Sequence, residues 1–158
     1  MFRKLRRVKN EISAEEAKLL LKNNKRAAFS VHGDDGYPYT IPINFYYDEE
    51  ENRIYFHSAK KGHKIDSIKA DDKVCLTTWD EGYLVEGDWA FYVSSCVVFG
   101  RAKLIEDRQL TEEKVRQFAL KYYPTEEEVE EEIRQDINAV QLVAIEIEYI
   151  SGKKVHEK

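Results

Sequence analysis

Cysteine is scarce in this 158-residue chain, and its placement argues against two common kinds of site. The two cysteines, Cys75 and Cys96, lie in separate apolar runs, VCL and SCVVF, and neither belongs to a Cys-x-x-Cys pair. No set of cysteines and histidines has the spacing of a zinc site. We therefore expect two buried free thiols, with no disulfide framework and no metal centre.

Long apolar segments are also missing from the sequence. No run approaches the roughly 20 apolar residues that a membrane-spanning helix needs. The initial segment, MFRKLRRVKN, lacks the apolar centre of a secretory signal. These absences predict a cytoplasmic protein without a membrane partner.

An excess of positive charge is absent as well. The net charge is −5 and the isoelectric point is about 5.5, whereas a general nucleic-acid-binding domain is usually basic. Arg and Lys are concentrated in residues 3–9, and residues 126–132 read EEEVEEE. We interpret both segments as solvated faces, which predicts no nucleic-acid partner. The length predicts a single domain that spans residues 1–158.

Hydrophobic periodicity predicts a mostly-β domain with helices, in the α+β class. A capping box at Ser13–Glu16 begins the first helix, and later helices are expected from His63, Thr111 and Glu126. Gly100 is expected to mark a bulge in a long strand. The predicted strands cover residues 26–32, 37–47, 54–58, 73–80, 89–106 and 140–150. After the last strand, Ser151-Gly152-Lys153 is expected to turn into a short tail.

Two prolines fall within the predicted strand Tyr37–Tyr47, which reads YPYTIPINFYY. Proline cannot donate a hydrogen bond to a strand ladder, so Pro38 and Pro42 place this strand at an edge or an irregularity of the sheet. Backbone groups left free at such an edge could bind a ligand. An ordinary edge strand explains the same pattern equally well.

The most informative segment is Arg53–Asp72, RIYFHSAKKGHKIDSIKADD, which predicts a strand, a basic loop and a short helix. Gly62 is free to adopt a positive φ in the loop. The N–H groups at a helix N-terminus carry partial positive charge, and Lys60, Lys61 and Lys64 add full charges. From these residues alone, a phosphate site and a solvated basic turn remain equally good interpretations.

Three motifs resemble the flavin-binding split-barrel proteins, a superfamily that includes pyridoxamine 5′-phosphate oxidase and the nitroimidazole-reductase (Nim) proteins. They are FHSAKKGHK, YPYTIPINFYY and YVSSCVVFGRAKLIED, and the resemblance covers about residues 13–155. It implies a split β-barrel of the FMN-binding type with flanking helices. It also implies a homodimer with the flavin at the interface between the two chains.

The resemblance also implies roles for particular residues. Pro42, Ile43 and Asn44 would flank the isoalloxazine ring. A second set would bind the ribityl chain, the phosphate or the open side of the flavin: His57, Ser58, Ala59, His63, Lys64 and Ser95. His57 is in addition the candidate catalytic residue, although a hydrogen bond that only fixes the loop explains it as well.

The resulting hypothesis is an FMN-dependent oxidoreductase that reduces a small molecule, for example a nitroaromatic, with NADH or NADPH as the reductant. FMN is favoured over FAD because the loop suits one terminal phosphate and no Gly-x-Gly-x-x-Gly motif is present. No Arg or Trp follows Arg134, which argues against oxidation of vitamin B6 and favours the Nim-like branch. The alternatives are a non-catalytic FMN store or sensor, and a split-barrel protein that binds a deazaflavin or haem.

Overall fold

The computed structural model describes residues 1–158, which form one curled antiparallel sheet with four α-helices beside it. The strands are β1 (Glu11–Ile12), β2 (Arg26–His32), β3 (Pro38–Asn44), β4 (Tyr46–Asp48), β5 (Arg53–Ala59), β6 (Lys73–Trp79), β7 (Tyr92–Ile105) and β8 (Val140–His156). The helices are α1 (Ala14–Asn23), α2 (His63–Ala70), α3 (Arg108–Leu120) and α4 (Glu126–Asp136). None of them is long and apolar enough to cross a membrane.

The strands lie in the order β3-β2-β6-β7-β8-β5-β4, and β1 pairs with β8 outside this path. β3 therefore lies at an edge, as its two prolines predict. The single strand expected over residues 37–47 is wrong, however. Phe45 is fully buried between β3 and β4, and its N–H donates to the carbonyl of Lys25 instead of continuing the ladder.

Alternating apolar residues of β2, β5, β6, β7 and β8 point to the concave side of the sheet and form the main core with α1 and α2. The opposite side of β2, β6 and β7 is called the outer face below. It carries residues such as Ala28, Thr77 and Val97, which lie side by side across these strands. At the predicted bulge, the β7–β8 register shifts between Phe99 and Gly100.

Local sequence signals define the starts of three helices. Ser13 and Glu16 form the predicted capping box, with each side chain accepting from the other residue's backbone N–H. Thr125 caps α4, which begins at Glu126 as predicted. The expected start of α3 at Thr111 is wrong, because Asp107 accepts a hydrogen bond from the Leu110 N–H and begins the helix one turn earlier.

The predicted tail after Ile150 is also wrong, since β8 continues without interruption to His156. Both of its edges are paired in this region. Lys153 lies between Ser95 of β7 and Glu11 of β1, and Gly152 pairs with Ile12. A side chain at Gly152 would meet Ile12 at 2.7 Å, so the glycine allows β1 to pack closely there.

Candidate functional site

A cavity of about 250 Å³ lies where the edge strand β3 approaches the end of β5, the start of α2 and one face of α3. Five of the nine residues singled out from the sequence line this cavity together. They are Pro42, Ile43, Asn44, His57 and Lys64. Ile41 and Phe118 complete the lining.

Lys64 provides the positive charge of the cavity. Its Nζ donates to Ser58 Oγ at 2.7 Å, and no carboxylate lies within ion-pair distance of it. Lysine is almost never fully buried without a partner, and Lys64 is half-buried beside a cavity. An ammonium that lines a cavity and is held only by a hydroxyl is therefore suited to an anion from outside the chain.

The backbone of α2 adds hydrogen-bond donors beside Lys64. Gly62 precedes the helix with φ of 134°, a conformation that favours glycine. The helical bonds begin with the Ile65 and Asp66 N–H groups, which both donate to the Gly62 carbonyl. The N–H groups of His63 and Lys64 come before these bonds and form the N-terminus of the helix. This end carries partial positive charge and therefore favours an anion.

His57 lines the same cavity from β5. Strand alternation puts it on the side of Tyr55, away from the Ile54 and Phe56 side chains that enter the main core. Its ring meets that of Phe118 edge-on, with the centroids 4.8 Å apart. The side chain remains accessible, but the surrounding protein atoms reduce its solvation and lower its pKa from the ordinary 6.5.

The structure directs His63 away from this cavity. Its ring stacks on Tyr39 with the centroids 4.1 Å apart, and its Nε2 lies 3.6 Å from Asp34 Oδ2. These contacts tie the start of α2 to the β2–β3 hairpin. Ala59, another predicted site residue, ends β5 with an exposed side chain and does not line the cavity.

Ser95 lies on the outer face, paired with Trp79 on one side and Lys153 on the other. It does not line the cavity described above. A larger cavity of about 470 Å³ lies near Ser95. Trp79, the strand partner of Ser95, is one of its lining residues. This outer-face cavity shares Ile41 and Pro42 with the first, and its other lining residues are Arg26, Ala27, Ala28 and Thr40.

Helix α3 is fixed against the sheet by a buried lysine, a feature that the sequence patterns did not single out. Lys114, which is 2% exposed, donates to Asp48 Oδ2 at 2.8 Å and Glu51 Oε1 at 2.6 Å. Tyr55 donates to Glu51 and faces the ammonium with its ring. These four residues are called the Lys114 cluster below.

Burial by itself disfavours the Lys114 ammonium, but the bonds to the two carboxylates outweigh this effect and raise its pKa. Burial also disfavours the Asp48 carboxylate, yet its bonds to Lys114 and to the backbone of Glu51 lower its pKa below the ordinary 3.8. The bonds that Glu51 accepts from Lys114 and Tyr55 lower its pKa as well, so Lys114, Asp48 and Glu51 are all charged at neutral pH. One turn further along α3, the same helix presents Phe118 to His57.

The sequence patterns did not single out Phe118. Its place in the cavity depends on contacts between residues 61 positions apart in sequence, which no local pattern reports. The one available signal is the spacing of Lys114 and Phe118, four residues apart, which puts a basic residue and an aromatic residue on one helix face.

Several solved structures share this fold. One is a candidate 5-nitroimidazole antibiotic resistance protein from Bacteroides thetaiotaomicron (TM-score 0.77, 18% identity, 92% of this chain and 87% of that chain). Another is an FAD-binding protein from Mesorhizobium loti (TM-score 0.67, 22% identity, 92% and 96%). A third is a flavocytochrome from Azotobacter vinelandii (TM-score 0.72, 21% identity, 95% and 71%). The fold is the split β-barrel that the three sequence motifs imply.

Sequence comparison identifies the family. No curated protein matches the chain. The family model described as pyridoxamine 5′-phosphate oxidase matches residues 13–154, which is nearly the whole sequence. This chain therefore belongs to the pyridoxamine 5′-phosphate oxidase family.

Proposed function

We propose that this protein binds FMN at the two adjoining cavities and uses it as an oxidoreductase toward a small molecule. The observation that carries the proposal is the Lys64 ammonium, which lines a cavity beside a helix N-terminus without a carboxylate partner. Membership of the family supports a flavin as the ligand, as do the similar folds of proteins described as FAD-binding or as a flavocytochrome.

The chemistry of the two cavities fits the two ends of FMN. Lys64, the Ser58 hydroxyl and the first N–H groups of α2 are donors suited to a phosphate. The outer-face cavity provides an apolar wall from Ala28 and Pro42 together with the indole of Trp79, which suits a flat aromatic ring. Pro42 and Ile41, shared by both cavities, would lie beside the chain that joins ring and phosphate.

When bound, FMN supplies the electron transfer itself. The protein would orient the ring, limit its contact with water and deliver a proton to the reduced substrate. His57 is the candidate for the proton because its imidazole lines the cavity, and its lowered pKa means that the charged, proton-donating form accumulates only as pH falls. A nitrogen of that ring can deliver a proton to a reduced substrate when the imidazole becomes charged.

A homodimer completes the proposal. The segment that follows β6 exposes several large apolar side chains, and the outer face exposes two more. They are Trp79, Tyr83, Leu84, Val85, Trp89, Phe91 and Phe99. A second copy of the chain is a partner that would bury such a surface.

The free thiols Cys75 and Cys96 are compatible with the reducing conditions of the cytoplasm.

Anaerobic titration of the flavin-loaded protein with NADH and then NADPH tests the enzymatic part of the proposal. We expect one of them to bleach the absorbance of the bound flavin within seconds. Dithionite serves as the control, since it reduces an accessible flavin without an enzyme. A flavin that dithionite bleaches and neither nicotinamide reduces would indicate a store or sensor instead of a nicotinamide-dependent oxidoreductase.

A further inference from the structure

Three cations meet where α1 is joined to β2 and where α3 ends. Lys25 and Arg26 are exposed at the start of β2, and Lys121 is half-buried directly after α3. No carboxylate lies within ion-pair distance of any of the three. These residues are called the Tyr122 patch below, because they lie around that side chain.

Tyr122 and backbone carbonyls hold the patch in place. The Tyr122 hydroxyl donates to the Lys25 carbonyl at 2.5 Å, and Lys25 Nζ lies 5.5 Å from the centre of the Tyr122 ring. Lys121 Nζ donates to the Asn24 carbonyl, also at 2.5 Å. A carbonyl accepts a hydrogen bond but does not neutralise an ammonium, so the patch keeps its positive charge.

The charges of the patch act on its own members. Burial, together with the charge of Lys25, lowers the pKa of Lys121 to about 8. The charge of Arg26 similarly opposes the rise in pKa that burial causes at the Tyr122 hydroxyl. Like charges held close together repel one another, and a bound anion would relieve that repulsion.

Arg26 connects the patch to the proposed flavin site. It lines the outer-face cavity of about 470 Å³, in which the ring of the flavin is proposed to bind. It is also the strand partner of Asn44, which lines the cavity beside Lys64. Directly opposed residues of an antiparallel pair have their side chains on the same face of the sheet. An anion held at Arg26 would therefore border the cavity of the flavin ring.

We propose that the Tyr122 patch is a second anion site, which binds the phosphate groups of the nicotinamide reductant while the nicotinamide reaches the flavin ring. This inference rests on the proposed function and adds to it the residues that bind the reductant. The phosphates take no part in the hydride transfer, which oxidises the nicotinamide and reduces the flavin. NADPH carries one more phosphate than NADH, so three unpaired cations favour NADPH.

Calorimetric titration of the FMN-loaded protein with pyrophosphate tests the site without any turnover. FMN occupies the Lys64 site in this experiment, so added pyrophosphate reports on the patch. Arg26→Ala and Lys25→Ala should each weaken pyrophosphate binding about tenfold, the scale of one lost charge-assisted contact. Lys22→Ala is the matched control, because this nearby exposed lysine is already paired with Glu49 and should keep the wild-type affinity.

Stopped-flow reduction of the bound flavin tests the choice of reductant. The half-saturating concentration of NADPH is expected to be about tenfold lower than that of NADH in wild type, and to rise with salt. Arg26→Ala should raise the value for NADPH about tenfold and leave the limiting rate nearly unchanged. Lys22→Ala should match wild type in both quantities.

Equal pyrophosphate affinity in wild type and Arg26→Ala would overturn the inference, as would equal half-saturating concentrations of NADPH and NADH in wild type. A monomeric Arg26→Ala with unchanged pyrophosphate binding would assign the patch to the dimer interface instead. Failure of the proposed function looks different, since dithionite would then reduce the flavin and neither nicotinamide would. Pyrophosphate binding that still depends on Arg26 would in that case retain the anion site for another phosphate-bearing ligand.

Discussion

At the scale of single residues, Lys64 and His57 share a cavity but differ in charge. Lys64 is a cation whose only hydrogen-bond partner is the Ser58 hydroxyl. Reduced solvation lowers the pKa of His57 and so favours its neutral form, although the side chain remains accessible. Lys64 is thus suited to bind an anion, and His57 is suited to exchange a proton.

Replacement of Lys64 by Ala is expected to weaken FMN binding while riboflavin binding stays nearly unchanged. A charge-assisted bond to phosphate contributes about 1.5–3 kcal/mol, which corresponds to roughly a tenfold to hundredfold change in dissociation constant. Fluorescence titration of both ligands measures it. Lys61→Ala is the control, because this nearby exposed lysine does not line the cavity. An equal loss for riboflavin and FMN would show damage to the fold instead of a lost phosphate contact.

Replacement of His57 by Ala should leave FMN bound and slow the reoxidation of the reduced flavin by a nitroaromatic acceptor about 10²-fold, the usual scale for loss of a general acid. Stopped-flow mixing of pre-reduced protein with the acceptor measures the rate. His63→Ala is the control, since His63 faces Tyr39 and Asp34 away from the cavity. Equal rates in wild type and His57→Ala, at confirmed FMN occupancy, would make His57 a structural residue.

The pH dependence of the same reaction has a defined sign. The pKa of His57 is lowered, so the imidazolium that can donate a proton becomes abundant only as pH falls below 6.5. The reoxidation rate of wild type is therefore expected to rise as pH falls through this region. His57→Ala should lack that rise.

At the scale of elements, local signals explain how much of the fold the sequence predicts. The capping box of Ser13, the positive φ of Gly62 and the strand over residues 26–32 each depend on neighbours in sequence, and all are confirmed. The length of β8 depends on pairing with β7 and β1, which are distant in sequence. Its continuation through Gly152 could therefore not be predicted from local composition.

In the candidate site as well, residues fixed by local motifs could be predicted and residues placed by distant contacts could not. Pro42, Asn44, His57 and Lys64 could be predicted because they belong to short motifs whose residues stay close after folding. Phe118 could not, since its position depends on α3 packing against β5 through the buried Lys114 cluster. A buried lysine is rare, and nothing in the periodicity of α3 distinguishes it from a solvated one.

Lys114→Met is expected to destabilise the protein by about 3 kcal/mol, near the lower end of the range for breaking a buried ion pair, because Glu51 keeps contact with water. Urea denaturation measures the change. Lys103→Met is the matched control, since its ion pair with Glu146 is exposed and should contribute less than about 1 kcal/mol. Equal destabilisation by the two variants would contradict a special role for the buried lysine.

The Lys114 cluster also makes stability depend on pH. Its partner Asp48 has a lower pKa folded than unfolded, so its stabilising contribution is present above about pH 4 and is lost as pH falls through the folded pKa. The difference in stability between wild type and Lys114→Met should therefore shrink in acid. Urea midpoints at pH 7 and pH 3 measure this trend.

At the scale of the whole molecule, the proposed cofactor site and the proposed dimer surface both include part of the outer face. The larger cavity opens on this face beside Trp79, which is also one of the exposed apolar side chains proposed to meet the partner chain. A partner chain on this face would cover part of the cavity. Flavin binding and association are therefore expected to depend on each other.

Light scattering on the purified protein should give about twice the chain mass of 18.6 kDa. Val97→Glu introduces a charge at the centre of the outer face and is expected to yield a monomer that binds FMN more weakly. Leu120→Glu introduces the same charge on the exposed side of α3 and should remain dimeric. A wild-type monomer that binds FMN fully would contradict the proposed dimer.

The most direct test of the central claim is the identity and amount of the ligand that the purified protein carries. Heat-released ligand is identified by mass spectrometry, and its absorbance is compared with protein concentration. The proposed site predicts FMN at one molecule per chain, with a sharp loss of occupancy in Lys64→Ala. Recovery of FAD, a deazaflavin or haem instead, or full FMN occupancy in Lys64→Ala, would contradict it.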